Sequence, residues 1–241
     1  MELQKAFLLH MRAFRDSSVL IDFFTHDYGR ITLIARGARS AKSKLRGLLQ
    51  PFLPLLISWS AKSELGNLNK VELDGVGYNF FGRNLIVGLY INELLTKLLH
   101  KHDAHPNLFQ AYKTALKILS SKTNGDLLIE QSIRIFEKKL LADLGYGLDL
   151  EYDINGNNIN SNLNYKFNFE QGFVVSNEKD RSFSGKTLLS LASEDLSDQV
   201  SLRESKILMR ALIKNLLGDK KILSRELLSS VIPADAGIQR H

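Results

Sequence analysis

Arg30, Arg36, Arg39, Lys42, Lys44 and Arg46 lie in a segment that contains no acidic residue anywhere between Asp27 and Glu64. Guanidinium and ammonium groups in such a run suit the chemistry of phosphate, which they neutralise without reading sequence. A Lys/Arg run is often only a solvated loop, but two features point further. The residues between the charges in ARGARSAKSKLRG are mostly Gly, Ala and Ser, small enough to let a backbone come close and flexible enough to follow an irregular row of phosphates. The flanking segments hold Phe14, Phe23, Phe24, Tyr28, Phe52 and Trp59, and strand alternation turns some of them outward. Exposed aromatic rings beside cations are how proteins stack single-stranded bases. The six cations are therefore the expected phosphate contacts, and Phe14, Tyr28 and Trp59 the stacking candidates. Nothing has the pattern of a recognition helix, which favours single strands over duplex.

Other chemistries find less support. SGKT at residues 184–187 ends like a phosphate loop, but Asp180 stands where the first Gly is required and no buried strand precedes it, so it reads as a helix start. His100, His102, Asp103 and His105 offer metal-ligand atoms at short spacing, yet they sit where one helix gives way to the next, a place that suits histidine by itself. No G-x-S-x-G, H-E-x-x-H or acidic pair is present, so neither enzymatic activity nor a cofactor or metal is expected. The lack of cysteine removes disulfides and thiolate sites and suits a reducing compartment. Glu2, Gln4 and Lys5 break up the first ten residues, no run of about 18 apolar residues follows, and the basic segment lacks an amphipathic helix, so neither a leader nor a membrane partner is expected. A cytoplasmic protein with a formal charge of +6 and a polyanionic partner is the expectation. An RNA-binding module and a nucleic-acid-processing enzyme are the alternatives, separable by DNA-versus-RNA affinity and by dependence on magnesium or ATP.

The elements that must position the cations fall into two parts. Up to about residue 80, short apolar runs broken by turn signals predict five strands, at residues 3–11, 19–25, 30–35, 53–59 and 68–76. His26-Asp27-Tyr28-Gly29 joins the second and third as a hairpin. Five short strands with one long connection suit an OB-fold barrel, and the basic segment is that connection. Residues 81–232 then read as a mainly helical domain. Leu85 to Leu99 support a helix ending near His102, Pro106 opens the next, and Asp126 caps a third that carries Ile129, Ile133, Phe136, Leu140, Leu141 and Leu144. Residues 148–176 form a β excursion, with strands at 165–169 and 173–176 and a loose Asn-rich loop at 155–164. Helices resume at 187–192, 202–217 and 225–231, and residues 233–241 stay unassigned. The fold class is α+β.

Along these segments the chain resembles the RecO family of bacterial recombination mediators. The likeness rests on KAFLLH at 5–10, GRITLIARGAR at 29–39, LLQPFLPLL at 48–56, GLYINELL at 88–95, FEKKLLADLGYGLDL at 136–150 and ILSRELL at 222–228, six pieces in order over nearly the whole length. It implies an OB domain followed by a helical domain, binding of single- and double-stranded DNA, annealing of complementary strands in DNA repair and recombination, and a nucleoid-associated location. It further implies two partners: RecR, and the acidic C-terminal tail of single-stranded-DNA-binding protein. Arg134 lies in the matching segment of the helical domain and is the candidate for holding that tail; otherwise it is a solvent-facing helix charge. Some members carry a four-cysteine zinc site in the β excursion. Residues 148–176 hold no cysteine, so no structural zinc is expected here.

Overall fold

The computed structural model describes residues 2–60, 65–178 and 182–231, with side chains described up to Leu227. The unassigned tail at 233–241 lies outside the described residues.

Alternating apolar residues build the first part. Strands β1 (Gln4–Phe14), β2 (Ser18–Thr25), β3 (Gly29–Ala35), β4 (Leu55–Ser60) and β5 (Gly66–Leu73) close into a barrel in the order β1-β2-β3-β5-β4. All neighbours are antiparallel except β3 and β5, where Leu33 faces Gly66 in a parallel pair, and β4 closes the ring by pairing Ile57 with Gln4 of β1. Ala6, Leu8, Val19, Ile21, Phe23, Ile31, Leu33, Leu55, Ile57 and Val71 fill the interior. The period of two that places them there turns Phe7 and Phe24 to the outside, where both are nonetheless fully buried.

Two helices cover that outer face. In α2 (Pro106–Ser120), Phe109 and Tyr112 meet Phe7 with ring centroids 5.5 and 5.1 Å apart, and Phe109 meets Phe24 at 5.2 Å. Helix α1 (Arg83–Leu98) packs on β1. It approaches closely at Gly88, where a Cβ would stand 2.9 Å from Phe52 Cζ and 3.0 Å from the Phe80 ring. Buried Asn92 on α1 spans a bulge in β1: its Nδ2 donates to the carbonyl of Leu9 at 3.2 Å, and its Oδ1 accepts from the Tyr112 hydroxyl at 2.6 Å. Burial pushes the Tyr112 phenol far above its usual pKa, so the hydroxyl remains a donor. The final helix α6 (Leu223–Val231) joins the same body: Glu93 of α1 accepts the backbone N–H groups of Leu223 and Ser224, both at 2.9 Å. One compact unit thus takes in the chain up to Ser120 and the segment from Asp219 onward, and residues 121–218 form the other.

The second unit contains α3 (Asp126–Asp143), a three-stranded sheet of β6 (Asn164–Asn168), β7 (Gly172–Val175) and β8 (Phe183–Ser184) in the order β7-β6-β8, and helices α4 (Gly185–Ala192) and α5 (Gln199–Leu217). Gly125, not Asp126, is the N-cap of α3; Asp126 instead places its carboxylate in the first turn, where the helix dipole favours it. The Asn-rich segment is not a loose loop. Asp153 Oδ1 accepts from the backbone N–H groups of Asn155 at 2.8 Å and Asn157 at 2.9 Å, and the Asn157 amide returns to Asp153 Oδ2 at 3.2 Å. Hydrogen bonds led by that from the Asn157 backbone hold the Asp153 carboxyl below the usual aspartate range. Asparagine and aspartate fold such turns by bonding their own neighbouring backbone, which composition alone registers as disorder.

Candidate nucleic-acid interface

The basic segment is the connection between β3 and β4, and the barrel holds it in place. Ala38 and Leu49 are buried in the barrel core, with Leu45 and Leu48 packed against it. Between these anchors the backbone runs through successive turns: Ser40 N–H donates to Gly37 O, Ser43 to Ser40 O, and Leu48 and Leu49 both to Leu45 O, at 2.8 to 3.1 Å. With Ala38, Leu45, Leu48 and Leu49 pinned inward, Arg36, Arg39, Lys42, Lys44 and Arg46 are all exposed. The connection is an ordered cationic ridge, not the slack loop that its Gly, Ala and Ser content suggests.

The β1–β2 hairpin is stapled to this ridge. Arg39 donates from its backbone N–H to Ser17 O at 2.9 Å and from Nη1 to Arg15 O at 3.2 Å. Arg15 adopts a positive φ of 53°, which costs a side-chain-bearing residue energy and is held here by that guanidinium. Its own guanidinium lies 5.1 Å from the centre of the half-buried Phe14 ring, a cation–π contact. Phe14 is thus beside the ridge, accompanied by exposed Arg12 and Arg15. A search for unbroken charge misses these two arginines because 24 residues separate Arg15 from Arg39. The hairpin turn between β1 and β2 was the only available signal.

Three expected site residues have other surroundings. Arg30 is not on the ridge: its Nε donates to Leu99 O at 3.1 Å, its Nη1 lies 3.6 Å from Asp22 Oδ1, and its side chain is only 16% exposed. It braces β3 against the chain after α1, where His102 N–H donates to Arg30 O. Next to it Gly29, at φ +61°, passes so near Asp103 that a Cβ would fall 1.5 Å from the Asp103 carbonyl oxygen. Trp59 is 6% exposed and belongs to the barrel core, so it has no free face for a base. Tyr28, 38% exposed at the β2–β3 turn, sets its ring edge-on to Trp59 with centroids 5.2 Å apart, and it alone of this pair is accessible.

Arg134 departs furthest from expectation. It is neither a solvent-facing charge nor open to a docked tail: its side chain is 7% exposed, and its Nη1 stands 2.8 Å from Oε2 of Glu137, which is fully buried. Ser132, Ile133, Arg134, Phe136 and Glu137 are all buried, so α3 is covered around more than the single stripe its apolar residues mark. Beyond the end of α3 lies a cleft of about 290 Å³ lined by Lys138, Leu141, Ala142, Leu148, Asp149, Leu150 and Glu151. Lys138 Nζ is tied there to Leu191 O at 3.0 Å, Ala192 O at 3.1 Å and Glu194 at 3.0 Å.

The other short motifs are structural. Ser184 is the N-cap of α4, its Oγ accepting from Thr187 N–H at 3.2 Å. Glu204 Oε2 accepts from Ser184 N–H at 2.9 Å and Thr187 Oγ at 2.6 Å, so a carboxylate of the chain already occupies the helix start that SGKT offered to phosphate. His105 is buried, 3.5 Å from Asp103. Among the described residues no three His, Asp or Glu side chains stand together to hold a metal ion, and no helix is long and apolar enough to cross a membrane.

Two family models match the chain: Recombination protein O N terminal over residues 1–75 and Recombination protein O C terminal over residues 82–226. The chain is 43% identical over 230 residues to DNA repair protein RecO of Coxiella burnetii (strain CbuG_Q212), covering 94% of this chain and 97% of that one. It is 40% identical over 233 residues to the DNA repair protein RecO of Haemophilus influenzae (strain 86-028NP), covering 96% and 97%, and 39% identical over 228 residues to that of Pasteurella multocida (strain Pm70), covering 94% of each.

Proposed function

The chain belongs to the RecO family, and from that premise we propose that it serves DNA repair and recombination by binding single-stranded DNA on its barrel and helping complementary strands to pair. The observation that carries this reading is the ridge of Arg36, Arg39, Lys42, Lys44 and Arg46, five exposed cations on an ordered connection with Phe14 and Arg15 stapled beside it. Two strands repel through their phosphates. A protein that screens the charge while leaving the bases uncovered lowers that repulsion and lets partners test one another. No bond is made or broken in such a process, and the protein acts as a mediator, not an enzyme. Duplex, which presents the same phosphates, binds to the same ridge.

The working context is the cytoplasm at the nucleoid, with RecR and single-stranded-DNA-binding protein as partners. The cleft past α3 is the proposed dock for the latter's tail through its apolar walls from Leu141, Ala142, Leu148 and Leu150; Lys138 is already paired with Glu194, and Asp149 and Glu151 also line the cleft, so apolar contact carries this docking. Annealing of complementary strands precoated with single-stranded-DNA-binding protein, with and without that protein's tail, tests the whole reading. Annealing of coated strands that needs the tail is expected; failure to anneal bare strands would sink it.

A further inference from the structure

Annealing requires two strands, yet the ridge accounts for one. The second unit carries a cationic face of its own on α5. Val200, Arg203, Ile207, Arg210 and Lys214 recur at the helical spacing that brings residues onto one side, and all five are exposed. The opposite side buries Leu202, Leu208, Met209, Leu212 and Ile213. Between Gln199 and Leu217 the chain has four basic residues, Arg203, Lys206, Arg210 and Lys214, against one acid, Glu204.

The two carboxylates nearest in sequence are engaged, one on the start of α4 and one on the first turn of α5 itself. Glu204 Oε2 is turned onto the start of α4, accepting from Ser184 and Thr187. Asp198 Oδ2 caps α5 itself, accepting from Ser201 N–H and Oγ, both at 2.9 Å. Lys206, off the line of the other three, lies 3.9 Å from Glu130. Arg203, Arg210 and Lys214 stand in single file over about 16 Å of helix, with Ile207 between them as a dry contact for a sugar or base edge.

We infer that this face of α5 is a second phosphate-binding surface, which takes the backbone of the second nucleic-acid strand while the barrel ridge holds the first. The inference rests on the annealing reading above. A straight row of cations fits the repeating charge of a polynucleotide, and it gives the protein one strand-binding face on each of its two units.

The test uses the full chain and two noncomplementary oligo-dT strands, so that no base pairing holds them together. One strand is immobilised and loaded with protein; capture of the second, labelled strand is then measured, alongside the annealing rate of complementary bare strands. The variants are Arg203→Glu/Arg210→Glu/Lys214→Glu and the milder Arg203→Gln/Arg210→Gln/Lys214→Gln, each checked by thermal melting. The wild type is expected to capture a second strand. Removing three contacts at about −0.7 each should cut that capture roughly 50-fold at 0.15 M salt and flatten its salt slope by about 2. Affinity for the first strand should stay within about twofold, because the ridge is untouched. Annealing should fall with capture. Should the glutamate variant melt early, the glutamine variant decides the matter by itself. Second-strand capture and annealing at wild-type levels in a folded variant would overturn the inference, as would loss of binding to an acidic peptide with strand capture intact, which would assign the face to a protein partner. A wild type that binds one strand and anneals without ever holding two overturns this inference alone. A wild type that binds no strand overturns the annealing reading and this inference with it.

Discussion

Arg134 Nη1 and Glu137 Oε2 face each other at 2.8 Å, one turn apart on α3, with both side chains out of water. A buried ion pair of this kind contributes little net stability, because desolvating two charges roughly offsets their attraction. Breaking it is another matter. The survivor then keeps its desolvation cost in a low-dielectric interior and loses the attraction that offset it.

Arg134→Met is accordingly expected to lower stability by about 3–5 kcal/mol in urea denaturation, and Arg134→Glu, which sets two carboxylates side by side, to leave little folded protein. The double variant Arg134→Met/Glu137→Leu should recover most of the loss. Tail-peptide and DNA binding by the single variants should fall together, in proportion to the folded fraction. Selective loss of peptide binding by a fully folded Arg134→Met would return Arg134 to the tail site.

This pair also marks where the sequence stops being legible. Period-two alternation was enough to find the barrel, and applied to Leu55, Ile57 and Trp59 it already turns Trp59 inward with its neighbours. Arg30 faces outward by the same rule, but the chain after α1 lies over it, and no local pattern encodes what a remote segment covers. Arg134 fails for a related reason: a helical wheel locates an apolar stripe but not whether a helix is covered on one side or several. Arg15 joins the ridge through a hairpin, so its proximity lives in strand pairing and not in spacing. The ridge itself was legible because five of its charges sit together in one connection.

Reversing Arg36, Arg39 and Lys42 to Glu should weaken single-strand binding by at least tenfold at 0.15 M salt, since three lost contacts at about −0.7 each already exceed that. Exposed side chains of this kind change stability by about 0.5 kcal/mol or less. Arg39 is the exception, because it also holds the Arg15 carbonyl. A melting curve and a fluorescence titration on the same sample decide: unchanged binding in a stable variant would make the ridge a solvated turn.

Salt dependence reports how far the interface extends. Five ridge cations predict a log–log slope of about −3.5 for one single strand, and participation of Arg12 and Arg15 would steepen it to about −5. Arg12→Ala/Arg15→Ala should then bring the steeper value back to the shallower one. A slope near zero would discard the electrostatic interface altogether.

Glu93 ties the last helix to the barrel unit, and its titration should release that tie. Its carboxylate accepts from Leu223 N–H and Ser224 N–H at 2.9 Å and from Ser224 Oγ at 2.7 Å, with the Lys97 ammonium 2.9 Å away. Burial by itself would raise its pKa, but the hydrogen bonds from Ser224, Lys97 and Leu223 together outweigh it and hold the group below the ordinary value of 4.5. A carboxyl depressed in the folded state stabilises it fully above the ordinary value and loses that contribution as pH falls through the lowered one. Arg225, which donates to the Tyr90 hydroxyl at 2.9 Å, should keep α6 partly docked. Hydrogen exchange at the Leu223 and Ser224 amides is expected to be slow and pH-independent, after correction for intrinsic rates, above pH 4.5, and to lose protection below it. Glu93→Gln should show the unprotected behaviour at every pH, while core amides such as that of Ile21 stay slow. Equal protection in the variant and the wild type at neutral pH would show that α6 is held by its other contacts and that Glu93 is dispensable to it.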